Sequence, residues 1–221
     1  MSSTVVMVFA KAPRPGEVKT RLIPLLGADG AAALHARLVA HALATARAAA
    51  LGRLELHCAP DATDPFFGFC RRHYGAVLAP QAEGGLGARM AAAFAAALAV
   101  YPRALLIGTD CPALGARHLR EAEDALLGGC DAVLGPAEDG GYVLIGLTRT
   151  DARLYDGIAW GGDGVLAETR TRLRALGWRW HELETLWDVD RPDDYERLLK
   201  SGILDAKLAA GTQFEREKES Q

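Results

Sequence analysis

The sequence lacks CxxC pairs and zinc-type cysteine spacing: Cys58, Cys70, Cys111 and Cys130 stand far apart. That removes the common zinc frameworks and leaves a disulfide scaffold without support, so a reducing, cytoplasmic setting is the simplest expectation. Met1 to Ala10 carries no basic segment ahead of a signal-length apolar run, and no secretion signal is expected there. No apolar stretch reads as long enough to span a bilayer. The alanine-rich run from Ala91 to Val100, bounded by Arg89 and Pro102, reads as a helix of a globular protein. Positive charge is not in excess either, the formal net charge being -3. No global field therefore draws the chain to nucleic acid or to an anionic membrane, and any phosphate must be met by a few local cations or a metal. The glycines of a Walker A loop and of a GxGxxG fingerprint are missing, which argues against a P-loop kinase and a nicotinamide dehydrogenase. No nucleophile elbow or Ser/His/Asp set is present. His35 and His41 share one helix without metal spacing, and His57, His73, His118 and His181 are scattered, so all six read as structural or surface groups.

What is present is an ordinary globular composition, 50% hydrophobic and 24% charged over 221 residues, enough for one core and one domain rather than two. Thr4 to Ala10 is a short β-branched apolar run, the mark of a buried strand. An Ala/Leu helix is expected from Ala28 to Ala50, strands at Leu54–Ala59 and Ala76–Leu78, and a helix leaving the glycine-rich loop at Gly84 and ending near Val100. Ala104 to Gly108 is the clearest central strand. Beyond it a helix at Ala116–Leu127, strands at Ala132–Leu134 and Gly141–Leu147, a helix at Val165–Leu176, a segment Trp178–Leu183 and a last helix from Pro192 complete the pattern. Alternating strands and helices predict a single-domain, Rossmann-like α/β fold, with a mostly parallel sheet, helices on both faces and ligand loops along one edge. The domain is expected over residues 1–208 and a loose tail over 209–221.

Four constellations carry possible chemistry. Lysine is scarce, yet Lys11 and Lys19 fall in one loop with Arg14 and Arg21. A cationic loop at the C-terminal end of a first strand is a natural cradle for a diphosphate or triphosphate. Asp110 follows the central strand in Gly108-Thr109-Asp110-Cys111-Pro112; it is either a metal carboxylate or a turn residue before Pro112. In Trp187-Asp188-Val189-Asp190-Arg191-Pro192, an extended backbone puts Asp188 and Asp190 on one side. One of them is a candidate second metal carboxylate, with helix capping the alternative for Asp190, while Asp193 and Asp194 suit the positive end of the helix. Glu138-Asp139-Gly140-Gly141-Tyr142 permits close backbone approach to a ligand, or is simply a hairpin turn. Trp160-Gly161-Gly162-Asp163-Gly164 is a flexible loop that either covers substrate or leads into a helix. Cys111 reads as a small buried packing group, since a neighbouring carboxylate does not favour a thiolate.

Taken in order, these motifs resemble the bacterial glycosyltransferase-A-like family known as arsenosugar biosynthesis-type glycosyltransferases, within the nucleotide-diphospho-sugar transferase superfamily. The pieces are Ala10 to Pro13 with Gly16, Val18 to Leu22, Gly84 to Met90, Gly108 to Pro112, Gly135-Pro136, Glu138 to Tyr142, Ile158 to Trp160, and Asp188 to Asp190. They span roughly Val5 to Leu199. The resemblance implies a glycosyltransferase-A fold with phosphates met by Lys11, Arg14, Lys19 and Arg21, and the nucleotide base near Gly84, Gly85, Gly87 and Arg89. It implies Mg²⁺ or Mn²⁺ on Asp110 with Asp188 or Asp190. Asp139 would orient or deprotonate an acceptor, and Gly140, Gly141, Tyr142 and Trp160 would face sugar or acceptor. Two departures stand out: Arg191 replaces a helix-capping Thr, and the Trp160 loop carries glycines where a hydroxyl residue is common.

The expected activity is metal-dependent glycosyl transfer from a nucleotide-diphosphate sugar to a small hydroxyl acceptor. The first-loop pattern of Lys11, Lys19, Thr20, Arg21 and Leu22 also resembles phospholactate guanylyltransferases, which makes nucleotidyl transfer from a nucleoside triphosphate the alternative. A nucleotide-binding protein without catalysis is a third reading, against which the intact acidic positions speak. Neither nucleic acid nor membrane is expected as a partner, and an apolar helix face leaves a homodimer open.

Overall fold

The computed structural model describes residues 4–204; the expected tail over 209–221 lies outside them. One seven-stranded sheet runs through the molecule. Its strands are β1 (Thr4–Lys11), β2 (Gly52–Ala59), β3 (Val77–Pro80), β4 (Arg103–Ile107), β5 (Ala132–Pro136), β6 (Tyr142–Leu147) and β7 (Trp180–Glu182), in the order β3-β2-β1-β4-β6-β5-β7. All described pairings are parallel except those of β6, which runs against both β4 and β5. Val5, Val6, Met7 and Val8 are almost wholly buried, as the run of apolar residues demands of a central strand covered on both faces.

Among the described residues six α-helices cover the sheet: α1 (Ile23–Ala49), α2 (Pro65–Tyr74), α3 (Leu86–Leu98), α4 (Ala116–Leu127), α5 (Val165–Ala175) and α6 (Pro192–Ser201). One core layer joins α1, α2, α4 and α6 to the sheet, and the other packs α3 and α5 on the opposite face. Helices on both faces and a mostly parallel sheet are thus as the sequence leads one to expect.

Helix α1 begins earlier than its pattern suggests. Pro24 sits in its first turn, and Gly27, at φ 70°, interrupts the helical backbone just before the expected start at Ala28. The segment Thr20–Ala49, 30 residues long and containing an 18-residue stretch with a mean hydropathy of 1.3, is long and apolar enough to cross a membrane by length and composition. This corrects the reading that no stretch qualifies. Leu34, Leu38, Val39 and Leu43 of this segment are buried in the core, so packing against the sheet accounts for much of its apolar character. Helix α2 was not anticipated, although its signals are local. Asp64 accepts from Phe66 N at 3.1 Å, Pro65 opens the first turn, and Gly75 ends the helix at φ 69°. It brings Phe66 and Phe67 fully into the core, each contributing about 1.5–3 kcal/mol by burial.

Because β1 and β4 are parallel and β6 opposes them, the ends of β1, β4 and β5 and the start of β6 share one edge. The register pairs Val8 with Ile107, Ile107 with Leu144, and Pro136 with Tyr142. The loops after β1 and β4 and the turn between β5 and β6 therefore open on that edge.

Candidate active site

The loop leaving β1 is held by its own lysine. Lys19 is a non-glycine residue in the left-handed region, at φ 48° and ψ 40°, a conformation that costs about 1–2 kcal/mol. Its ammonium lies 2.7 Å from Asp110 Oδ1 and donates to Val189 O at 2.6 Å. The Lys19 side chain is 4% exposed whereas that of Asp110 is 52% exposed, so the lysine is built in and the carboxylate keeps an open side. Two bonds to a buried charge offset the strained backbone. Arg21, two residues on, pairs with Asp190.

Asp110 leaves the end of β4, and its carbonyl accepts from Val189 N at 2.8 Å, which ties the Asp188–Asp190 segment to the central strand. Asp188 is half-buried. Burial, then the charges of Asp139 and Asp110, push its carboxyl up to about 6, while Lys19 pulls the other way. Asp190 does not cap α6. Asp194, in the first turn, instead accepts from Arg191 N at 2.7 Å and from Asp190 N at 3.1 Å, which ties the preceding segment to the helix start.

Between β5 and β6 the chain makes a tight turn, with Gly140 N donating to Ala137 O at 3.2 Å and Ala137 N to Gly141 O at 3.0 Å. Asp139 folds back to accept from Gly141 N at 2.9 Å. The turn reading and the ligand reading of this segment are compatible, because the same turn places Asp139 on the cavity wall. Gly140 has φ 85°, and a Cβ there would collide with the Asp163 carbonyl. Leu166 N donates to Gly140 O at 2.9 Å. The Trp160 loop is thereby fastened to the turn.

Among the cavities on this edge, two adjoin at Asp110. One, of about 630 Å³, is lined by Lys11, Lys19, Arg21, Arg89, His35 and Gln81, with Asp110 and Asp190 at its border. The other, of about 350 Å³, has the carboxylates Asp110, Asp139 and Asp188, the backbone of Gly141, and the rings of Phe9, Tyr142 and Trp160. Phe9, Leu86, Gly108 and Asp110 border both. The two therefore form one trough, basic at one end and acidic then apolar at the other, with Asp110 at the join.

Several expected site residues fall elsewhere. Arg14 turns to Asp64, with Nε 3.2 Å from Oδ2, and does not border either cavity. Gly84 accepts from Arg89 Nε at 2.8 Å, and Gly85 caps α3; both shape the Arg89 loop rather than line the trough. Gly87 lies beneath Trp160, whose indole fills the space a Cβ would take. His35 was read as structural, yet it borders the basic cavity, with Nε2 3.1 Å from Lys11 O and Nδ1 without a hydrogen-bond partner. Gln81 was missed. Its Nε2 donates to His57 O at 2.9 Å and to Ala10 O at 3.3 Å, and nothing in a lone glutamine after a short strand signals that role.

The acidic positions fit a divalent cation. Asp188 is raised by two neighbouring carboxylates and by burial, a cost that a cation would remove. Among the described residues no three His, Cys, Asp or Glu groups converge as a ligand set. A hard divalent cation needs only one or two protein carboxylates when phosphate and water complete its shell, and Asp110 and Asp188 are the two that could serve.

The sheet order, with nucleotide-sized space over the carboxyl ends of its parallel strands, defines a transferase fold of the nucleotide-diphospho-sugar transferase type. The chain is similar over 100% of its length, at 30% identity and a TM-score of 0.84, to 96% of a Desulfovibrio desulfuricans G20 protein named as a proposed nucleotide-diphospho-sugar transferase. Two further structures share the fold alone. Rv0371c from Mycobacterium tuberculosis H37Rv, in a complex with manganese, has 20% identity, a TM-score of 0.55, and coverage of 91% of this chain and 100% of that one. The inositol-1-phosphate CTP transferase from T. maritima has 14% identity, a TM-score of 0.59, and coverage of 93% and 98%. Residues 42–162 match the family described as DUF2064, uncharacterized protein conserved in bacteria, and the chain belongs to that family. No curated protein matches it.

Proposed function

We propose that this chain is a metal-assisted glycosyltransferase that uses a nucleotide-diphosphate sugar and a small hydroxyl acceptor. Within the superfamily this points to the arsenosugar-type glycosyltransferases. One observation carries the reading: the basic and the acidic–apolar cavities meet at Asp110, so two reactants bound end to end would touch across a single carboxylate. A phosphate-bearing molecule belongs in the half with Lys11, Lys19, Arg21 and Arg89, and a neutral one in the other half. The name given to the Desulfovibrio protein agrees with this.

In this reading Lys11, Arg21 and Arg89 grip the diphosphate, and Lys19, held by Asp110 and Val189 O, adds fixed positive charge beside the leaving oxygen. Asp110 and Asp188 would hold a divalent cation, which would supply Lewis-acid stabilisation of a departing diphosphate. Asp139 gives one oxygen to Gly141 N and uses the other to orient the acceptor hydroxyl and take its proton. The acceptor oxygen bonds to the anomeric carbon as the bond from that carbon to the diphosphate oxygen breaks.

A second reading, nucleotidyl transfer from a nucleoside triphosphate with pyrophosphate release, is favoured by one feature. Four cations border the basic cavity, ample for a triphosphate. The name of the Thermotoga protein is of that kind. The deciding experiment incubates the protein and Mn²⁺ or Mg²⁺ with nucleotide sugars and with nucleoside triphosphates, alongside thermal-shift binding to each. Ligands of the folded state raise apparent stability. Metal-dependent stabilisation and nucleoside diphosphate release from one nucleotide sugar support glycosyl transfer. Pyrophosphate release from a triphosphate transfers the assignment to the second reading. Absence of any nucleotide-dependent shift overturns both.

A further inference from the structure

The inner part of the second cavity has no role in the chemistry derived so far. Phosphates need cations, and sugar hydroxyls need donors and acceptors. The inner wall offers few of either. It is made by Phe9, Met90, Leu106 and Ile145, with the rings of Tyr142 and Trp160 edge to face at 6.4 Å between centroids. The carboxylates Asp110, Asp139 and Asp188 supply its charge.

This wall is constructed rather than left over from imperfect packing. Gly87 on α3 leaves the space that the Trp160 indole fills, and Gly140 leaves the space for the Asp163 carbonyl. Two glycines on separate elements therefore let the loop carrying Trp160 close the cavity from outside. At about 350 Å³ the space stands at the lower end of the range for small-molecule sites, about 300–1,000 Å³.

We propose that the acceptor is an alcohol with an apolar body, an aromatic ring or a branched or cyclic hydrocarbon, and not a second sugar. The proposal rests on the transferase reading and names the substrate class of the acceptor half. The single hydroxyl lies at the Asp139 end, and the body fills the space between Phe9, Leu106 and Trp160. A sugar acceptor would place hydroxyls against those same side chains without hydrogen-bond partners, at a desolvation cost that nothing there returns.

The test is calorimetric titration of the full chain with three probes: 2-naphthylmethanol, cyclohexylmethanol and methyl α-glucoside. A separate arm titrates UDP, GDP and CDP with Mn²⁺. The two apolar alcohols are expected to bind with a negative heat-capacity change, the mark of apolar burial, and the glucoside to give no heat. Trp160→Ala is expected to weaken alcohol binding by at least about tenfold while leaving nucleotide binding unchanged. Should that variant not fold, Met90→Gln, which puts an amide on the same wall, carries the same expectation. The proposal is overturned if the alcohols fail to bind, if the glucoside binds as well as they do, or if neither wall variant changes their affinity. Alcohol binding without binding of any nucleotide leaves the apolar ligand class standing and sinks the transferase reading. Nucleotide binding without alcohol binding does the reverse.

Discussion

The two halves of the trough are built by different means. On the β3-β2-β1-β4 side, three of the four cations bordering the basic cavity, Lys11, Lys19 and Arg21, come from one continuous loop. That loop holds itself in place by burying Lys19 against Asp110 and Val189. On the β6-β5-β7 side, the wall is assembled from the Asp139 turn, the Trp160 loop and the Asp188 segment, and it depends on glycines that admit neighbouring groups. The first wall takes most of its cations from one stretch of chain fastened chiefly at Lys19, whereas a wall pieced together from several segments fails when any of their mutual contacts is lost. The first half suits a constant ligand such as a phosphate chain, and the second suits a ligand that defines specificity.

The sharpest way to break this contrast is at the join. Asp110→Asn is expected to lower turnover by at least about a hundredfold, measured as nucleoside diphosphate release under saturating donor. It is also expected to remove the metal dependence of nucleotide binding. Gly140→Ala comes next. Its Cβ would strike the Asp163 carbonyl at a position already in the left-handed region, and a loss of about 2–3 kcal/mol in urea unfolding is expected. Gly87→Ala should separate the halves more gently. By displacing the Trp160 indole it should raise the KM of the second reactant about tenfold and leave the nucleotide affinity as it was.

A smaller effect belongs to the basic half and to pH. Burial holds the His35 pKa below its ordinary value, with Asp110 and the bond to Lys11 O acting against that shift. The unfolded chain therefore binds a proton more readily, and the contribution of neutral His35 is present above pH about 6.5 and lost as pH falls below it. His35→Gln should lose less stability than the parent between pH about 7.5 and about 5.5, read from urea midpoints. The smallest effect is expected from Arg197→Ala. It removes an exposed pair with Glu138 and a contact over the Trp187 ring at 4.6 Å, together worth up to about 1 kcal/mol.

The basic half was also the more legible in the sequence. Its strands show as apolar runs, and three of its four cations, Lys11, Lys19 and Arg21, lie within eleven residues of one another, so composition alone marks the loop. Even there, Arg14 looked equivalent to its neighbours, because only the fold reveals that Asp64 at the start of α2 claims it. Helix α2 itself went unread despite its Asp-Pro start and its terminal Gly75. On the other side the acidic residues and Trp160 were visible as motifs, but the apolar wall was not. Phe9, Met90, Leu106 and Ile145 come from three strands and a helix, and in sequence each is an ordinary core residue. Gly87 looked like part of a ligand loop, and its use as a seat for an indole depends on a residue more than seventy positions away.

The apolar wall bears on fidelity against water. An activated donor bound beside an empty acceptor site is exposed to hydrolysis, a leak that consumes donor and yields nothing. Space enclosed by hydrocarbon side chains is poorly wetted, because a water there finds too few partners to replace its bonds in bulk. On the transferase reading, the apolar wall behind Asp139 would disfavour water as the nucleophile, and a bound donor would wait for a reactant that carries its own oxygen into the cavity.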